Sequence, residues 1–307
     1  MARILILLII FFLPINSFSA ENLSYHSDYF SFVGRDTIGF VTFALDNNRG
    51  VDGPNYQAEH FGVLYDQQSG WVKLVGTGRY DNIHGVLKRI PDSPFFTFEG
   101  RPETGINIRS KDNLLTLEIN PLVTQLSESK GNRILNWGVA KAVLYWKGRK
   151  IPGRVISEQL MHLDWNRLTR KYANTWDNFQ GFYLALDFGG PGAWQDFYLR
   201  SEGDGKNRRT MGFATADNWF GAIHSTRFEA YDKALNFGFF RWPQRWLVEV
   251  KRKGTNDSGT GQLALRHVSR ENQGNWIIGG FAMTVVEGEL VVNGKTIPVL
   301  GFAELIQ

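Results

Sequence analysis

Cysteine is absent from the chain, which removes disulfides, thiol nucleophiles and Cys-bound metals at one stroke. The fold must therefore hold by burial alone, which a chain of 307 residues can do because it hides a large share of its surface. One-sided charge is also lacking: 34 Lys and Arg stand against 30 Asp and Glu, for a formal charge of +4. The short runs Lys206–Arg209 and Lys251–Lys253 read as loop and strand ends, so no nucleic-acid partner is expected. There is no Gly-x-x-x-x-Gly-Lys phosphate loop, no His-Glu-x-x-His zinc motif and no Gly-x-Ser-x-Gly elbow. No internal repeat or low-complexity tract is visible, and no cofactor is called for.

Long apolar runs are missing with one exception. Ile4 to Leu13 follows Arg3 and gives way to Pro14 and small polar residues, the layout of a secretory signal peptide and too short for a bilayer span. Ser17 and Ser19 supply the small side chains a cleavage site needs, so residues 1–19 are expected to be removed. The product is expected to be secreted or periplasmic, with no stable membrane span.

What the chain does have is aromatic side chains, at 14% of residues, and 33 glycines among short alternating runs. This pattern predicts an all-β protein. The clearest strands are 38–45, 71–75, 95–99, 106–109, 114–119 and 140–146, then 182–188, 196–200, 246–251, 263–268, 276–286, 290–292 and 297–305. Asn293-Gly294 between the last two is a hairpin signal, because a type I′ turn needs positive φ at both positions. One short helix is expected where Met161, Trp165, Leu168 and Tyr172 share a stripe, with Ser157 as its cap. An extended reading of 154–160 stays open. The polar stretch Ser127–Asn132 and the turn Lys147–Gly153 are boundary candidates, which divides the chain into domains at 20–150 and 151–307.

Chemistry concentrates in one span. Glu158, His162 and Asp164 are candidate catalytic residues, since carboxylates and imidazoles move protons or hold metals. On a helix Glu158 and His162 are neighbours; on a strand they share a face but lie roughly 13 Å apart. His162-Leu163-Asp164 with His224 or His267 also spells a two-His, one-carboxylate iron set, a weak signal that leaves the expected metal as none. Trp165, Trp176, Phe179, Tyr183 and Tyr198 are candidate ligand-binding residues, because large rings either fill a β-barrel or line a cavity in it. Asp187 reads as a strand-end turn former.

The order Gly148–Glu158, Trp176-Asp177-Asn178-Phe179, Phe182–Asp187, Trp194–Arg200 and Gly301–Leu305 resembles the carotenoid-hydratase/AttH-like group. That resemblance implies two lipocalin-like antiparallel β-barrel domains. It also implies an acid or imidazole facing a lipid-like substrate at the position of Glu158, whose carboxyl matches that type. The expected function is binding of a hydrophobic or amphipathic small molecule in the second domain or at the domain junction. Any reaction would be acid-catalysed hydration or isomerisation of an alkene, with Glu158 as the proton donor. A carboxyl near Ile156, Leu160 and the ring cluster is expected to be desolvated, so that Glu158→Gln would spare stability. The rival is a secreted carbohydrate-binding or carbohydrate-cleaving β-protein with sugars stacked on exposed Trp. A cell-surface interaction protein with no pocket is the third reading.

Overall fold

The structure is a computed structural model that describes residues 24–52, 55–81, 90, 92–93, 95–163, 179–189, 194–203, 208–216, 219–235, 241–253, 260–273 and 281–306. These residues form strands and connections, with no helix among them. The first half comprises β1 (Tyr25–Arg35), β2 (Phe40–Asp52), β3 (Asn55–Asp66), β4 (Gly70–Asp81), β5 (Phe96–Arg101), β6 (Gly105–Ser110), β7 (Leu115–Ile119), β8 (Val123–Lys130), β9 (Arg133–Trp146) and β10 (Arg149–His162). The second comprises β11 (Phe179–Asp187), β12 (Trp194–Glu202), β13 (Arg209–Ala216), β14 (Trp219–Tyr231), β15 (Ala234–Leu235), β16 (Arg241–Trp242), β17 (Arg245–Arg252), β18 (Thr260–Gln273), β19 (Phe281–Val292) and β20 (Lys295–Ile306). Among the described residues no helix is long and apolar enough to cross a membrane.

The first half is one ten-stranded sheet in the order β4-β3-β2-β1-β10-β9-β7-β6-β5, with β8 also on β9. It curls, because Phe96 on β5 reaches back to Phe43 on β2, their ring centroids 6.1 Å apart. The enclosed face is filled by Phe30, Phe32, Leu45, Ile108, Leu144 and Trp146 among others. The second half is a closed antiparallel barrel, β11-β12-β13-β14-β17-β18-β19-β20. Bulges at Ser225/Arg227 and His267/Ser269 add the bends that closure requires. The Asn293-Gly294 hairpin joins β19 and β20 with both φ values positive, at 51° and 75°.

Strand alternation sends successive side chains to opposite faces, so each half has a second buried surface. Phe182, Leu184, Leu186, Phe197 and Trp246 fill the barrel. Tyr183, Ala185, Trp194, Tyr198 and Phe302 leave it outward and meet Tyr25, Tyr29, Trp137, Val139 and Ile156 of the first sheet. The two halves thus share a continuous apolar seam.

Polar pairs pin the seam. Arg154 Nε donates to Asp196 Oδ1 at 3.0 Å, Arg35 to Asp187 at 2.8 Å and Trp71 Nε1 to Ser269 Oγ at 2.7 Å. Asp187 is therefore an ion-pair partner across the halves, besides accepting the Gly189 N–H of the turn that follows it.

Three expectations meet the structure differently. β10 is a strand through His162, so Ser157 caps nothing and the extended reading of 154–160 holds. The remainder of the expected helix, 164–172, lies outside the described residues. The division near residue 150 falls at the β9–β10 turn, and the chain leaves the first sheet only after His162.

Candidate functional site

β10 is the strand from which the site grows. It runs between β1 and β9, and its even residues Ile156, Glu158 and Leu160 turn toward the barrel. Glu158 stands opposite Tyr29 on β1 and Trp137 on β9. From the barrel, Tyr183 on β11 with Tyr198 and Arg200 on β12 reach the same point.

The carboxylate is 9% exposed and well supplied with donors. Its Oε2 accepts from Trp137 Nε1 at 2.8 Å, Tyr198 Oη at 2.8 Å and Tyr183 Oη at 3.2 Å. Its Oε1 accepts from Arg200 at 2.8 Å. Arg200 continues to Glu202 at 2.6 Å and lies over the Phe179 ring at 4.6 Å. Burial, the largest single influence, would lower the Arg200 pKa, but Glu158 together with Glu202 and the two phenols outweighs it, and the guanidinium is held well above its ordinary value. Burial and the same carboxylate push the Tyr183 and Tyr198 phenols well above theirs. The apolar surround expected for Glu158 is therefore replaced by donors, and both oxygens already accept hydrogen bonds.

Tyr29 differs from its neighbours. Its ring packs on Tyr183 at 4.7 Å, and Tyr183 on Tyr198 at 5.1 Å, giving a ladder of three phenols. Its hydroxyl is buried and has no hydrogen-bond partner. Burial first, then the charges of Glu304, Asp46 and Glu158, hold it phenolic far above the ordinary range. Asp46 and Glu304 are half-buried, so the seam meets solvent beside this hydroxyl. Asp46 is steadied by Ser27 Oγ at 2.9 Å and Asn48 Nδ2 at 2.8 Å.

Of the residues singled out from sequence, Glu158, Phe179, Tyr183 and Tyr198 meet at this seam. His162 ends β10 on the same face as Glu158 but two strand repeats away, opposite Tyr25. His224 and His267 sit on β14 and β18 of the barrel. Asp164, Trp165 and Trp176 lie outside the described residues. Among the described residues no three His, Asp or Glu side chains converge as a metal site.

Sequence reading missed Tyr29, Asp46, Trp137, Arg200 and Glu304. Arg200 closes a motif that was noted, but nothing local says it turns to Glu158. The signal for Tyr29 was the run Tyr25, Ser27, Tyr29, Ser31, a period-two pattern obscured because β1 is buried on both faces.

No family model matches the chain, and no curated protein sequence matches it. Solved structures do. A protein named as an AttH from Nitrosomonas europaea is similar with a TM-score of 0.59 and 11% identity, over 92% of each chain. Kievitone hydratase from Nectria haematococca is similar with a TM-score of 0.55 and 10% identity, over 94% of this chain and 91% of that one. At such identity the likeness is one of fold, extending through both halves.

Proposed function

We propose that the chain binds a hydrophobic or amphipathic small molecule at the seam between its halves and adds water to an alkene there. The observation that carries this reading is the Tyr29 hydroxyl. A buried donor without a partner costs about 1–3 kcal/mol, and it sits on a ring ladder beside two half-buried carboxyl groups. A ligand hydroxyl or carbonyl placed there would satisfy it, while the rings take the apolar body.

The chemistry follows from the wall. A carboxyl at the rim, Glu304, gives its proton to one alkene carbon. The resulting cation faces the negative π-faces of Tyr29 and Tyr183, and water adds to it, returning a proton to the same carboxylate. Glu158, saturated by donors, serves as a positioning residue that fixes Tyr183, Tyr198 and Arg200, in place of the proton donor expected from sequence. The similarity to a fold that includes a protein named a hydratase supports this reaction class. Among the described indoles all are buried or half-buried, so none of these offers the exposed face on which the carbohydrate rival would stack a sugar. Export remains part of the proposal, resting on the apolar run Ile4–Leu13.

A long-chain isoprenoid alcohol should quench tryptophan fluorescence on titration, and Tyr29→Phe should weaken its affinity about tenfold, the loss of one hydrogen bond. Incubation of an unsaturated ligand with oxygen-labelled water should place the label in the product. Equal affinity in Tyr29→Phe, or a response to a soluble oligosaccharide instead, would remove the seam site.

A further inference from the structure

The opposite face of β10 carries a second set of polar residues, separated from the seam by the sheet itself. Register aligns His60 on β3, Asn47 on β2, Asp28 on β1, Gln159 on β10 and Asn136 on β9 in one row across five strands. The next row holds Arg49 and His26, with Met161 half-buried at its end. Both rows belong to the enclosed face, continuing the line of Phe30, Leu45 and their neighbours. A polar row inside a curled sheet needs partners.

Part of the row is self-sufficient. Asp28 pairs with Arg49, which is fully buried, and accepts from Gln159 at 2.8 Å. His26 lies 3.4 Å from Asp28, and the nearness of His26 and the Arg49 guanidinium holds the Asp28 carboxyl well below its usual range against the effect of burial. The other part is incomplete. His60 Nδ1 lies 2.7 Å from Asn47 Oδ1, and the Asn47 amide nitrogen donates to the Asp28 carbonyl at 3.3 Å. This orientation makes Nδ1 the donor and leaves Nε2 with its lone pair. Nε2 of His60 is buried with no hydrogen-bond partner, and so is Ser157 Oγ on the same face. His60 is 1% exposed.

Burial, with the Arg49 charge added, pushes the His60 imidazole down to about 4, so it is neutral at pH 7 and an acceptor there. A line of rings leads to it: Phe43 to Phe96 at 6.1 Å, Phe96 to Phe98 at 6.4 Å and Phe98 to His60 at 5.8 Å.

We propose that the enclosed face of the first sheet is a second ligand site, independent of the seam, that takes a small aromatic alcohol whose hydroxyl donates to His60 Nε2 while its ring packs against Phe98. The acceptor, its orienting Asn47 and the adjoining rings supply each part of such a ligand's recognition. The half-buried Met161 and Phe98 mark the side from which it enters.

Phenol is the probe. With isotope-labelled histidine in the full chain, added phenol should move the His60 Nε2 resonance saturably, and toluene, which has no hydroxyl, should leave it in place. His60→Phe should weaken phenol binding, measured calorimetrically, at least tenfold. A His60 resonance unmoved by phenol at millimolar concentration would overturn the proposal without recourse to any variant. So would an equal response to toluene, which would show an apolar cavity only, or unchanged phenol affinity in His60→Phe.

Discussion

Glu158 is where a single residue carries most. Read as a desolvated acid, it invited the expectation that Gln would be tolerated; read with its four donors, it balances the charge of Arg200 in a buried place. Removing one partner of a buried pair leaves the other less compensated, and because Arg200 keeps Glu202 at 2.6 Å the loss is about 1–3 kcal/mol. Glu158→Gln is therefore expected to lower the denaturant midpoint clearly. Adding Arg200→Met to it should recover part of the loss, because the buried guanidinium that has lost a carboxylate goes too. A cycle in which the two changes simply add would show that the pair is not coupled. Tyr29 obeys the reverse logic in the unliganded protein. Its hydroxyl satisfies nothing, so Tyr29→Phe should be neutral or stabilising even as it weakens the ligand.

Among the elements, β10 is held by contacts that sequence signals only in part. Pro152 lacks an N–H, yet the strand accommodates it, because β1 pairs with β10 only from Gly153 onward and Pro152 lies past that limit. Gly153 faces Gly34 across the pair, and a Cβ on it would stand 2.2 Å from the Val33 carbonyl. Gly153→Ala should therefore cost about 1–3 kcal/mol by overpacking, read as a lower melting temperature. An unshifted melt would show that β1 and β10 can part without penalty.

At the same end Arg149 bridges Asp36, after β1, and Asp66, at the end of β3, at 2.8 and 3.0 Å. Its hydrogen bonds lead in lowering the Asp36 carboxyl from 3.8 to about 2. The unfolded chain takes up this proton first as pH falls, so the contribution is present above pH 3.8 and lost by about pH 2. Arg149→Gln should flatten the acid limb of a stability–pH curve in that window, and an unchanged limb would assign acid sensitivity elsewhere.

Most strands with one solvated face were legible as alternating runs, and the Asn293-Gly294 hairpin was legible from its turn chemistry alone. β1, buried along nearly all its length, was not, since a strand covered on both faces loses the alternation that marks it, and β3, β8, β13 and β14 were missed as well. The candidate site was half legible for the same reason. Glu158, Tyr183 and Tyr198 stood out by type and proximity in sequence, whereas Tyr29 and Glu304 join them only because β1 and β20 are brought together from opposite ends of the chain.

At the scale of the molecule, the seam decides whether the halves behave as one. Side chains that leave the barrel outward, such as Tyr183, Tyr198 and Phe302, would be exposed rings if the first sheet were absent. Asp196, fully buried, would lose Arg154, the partner that offsets a burial which already pushes its carboxyl up. Neither half can therefore open without uncovering apolar surface and a buried charge on the other. The expected outcome is a single unfolding transition, in which backbone amides of β2 in the sheet and β18 in the barrel lose exchange protection at the same denaturant concentration. Arg154→Ala should lower both midpoints together, because the ion pair it breaks belongs to both halves. Two separate midpoints in the unaltered chain, or a shift confined to the first sheet in the variant, would mean that the seam is a contact between independent domains, and a ligand held there would then have to bring the halves together as it binds.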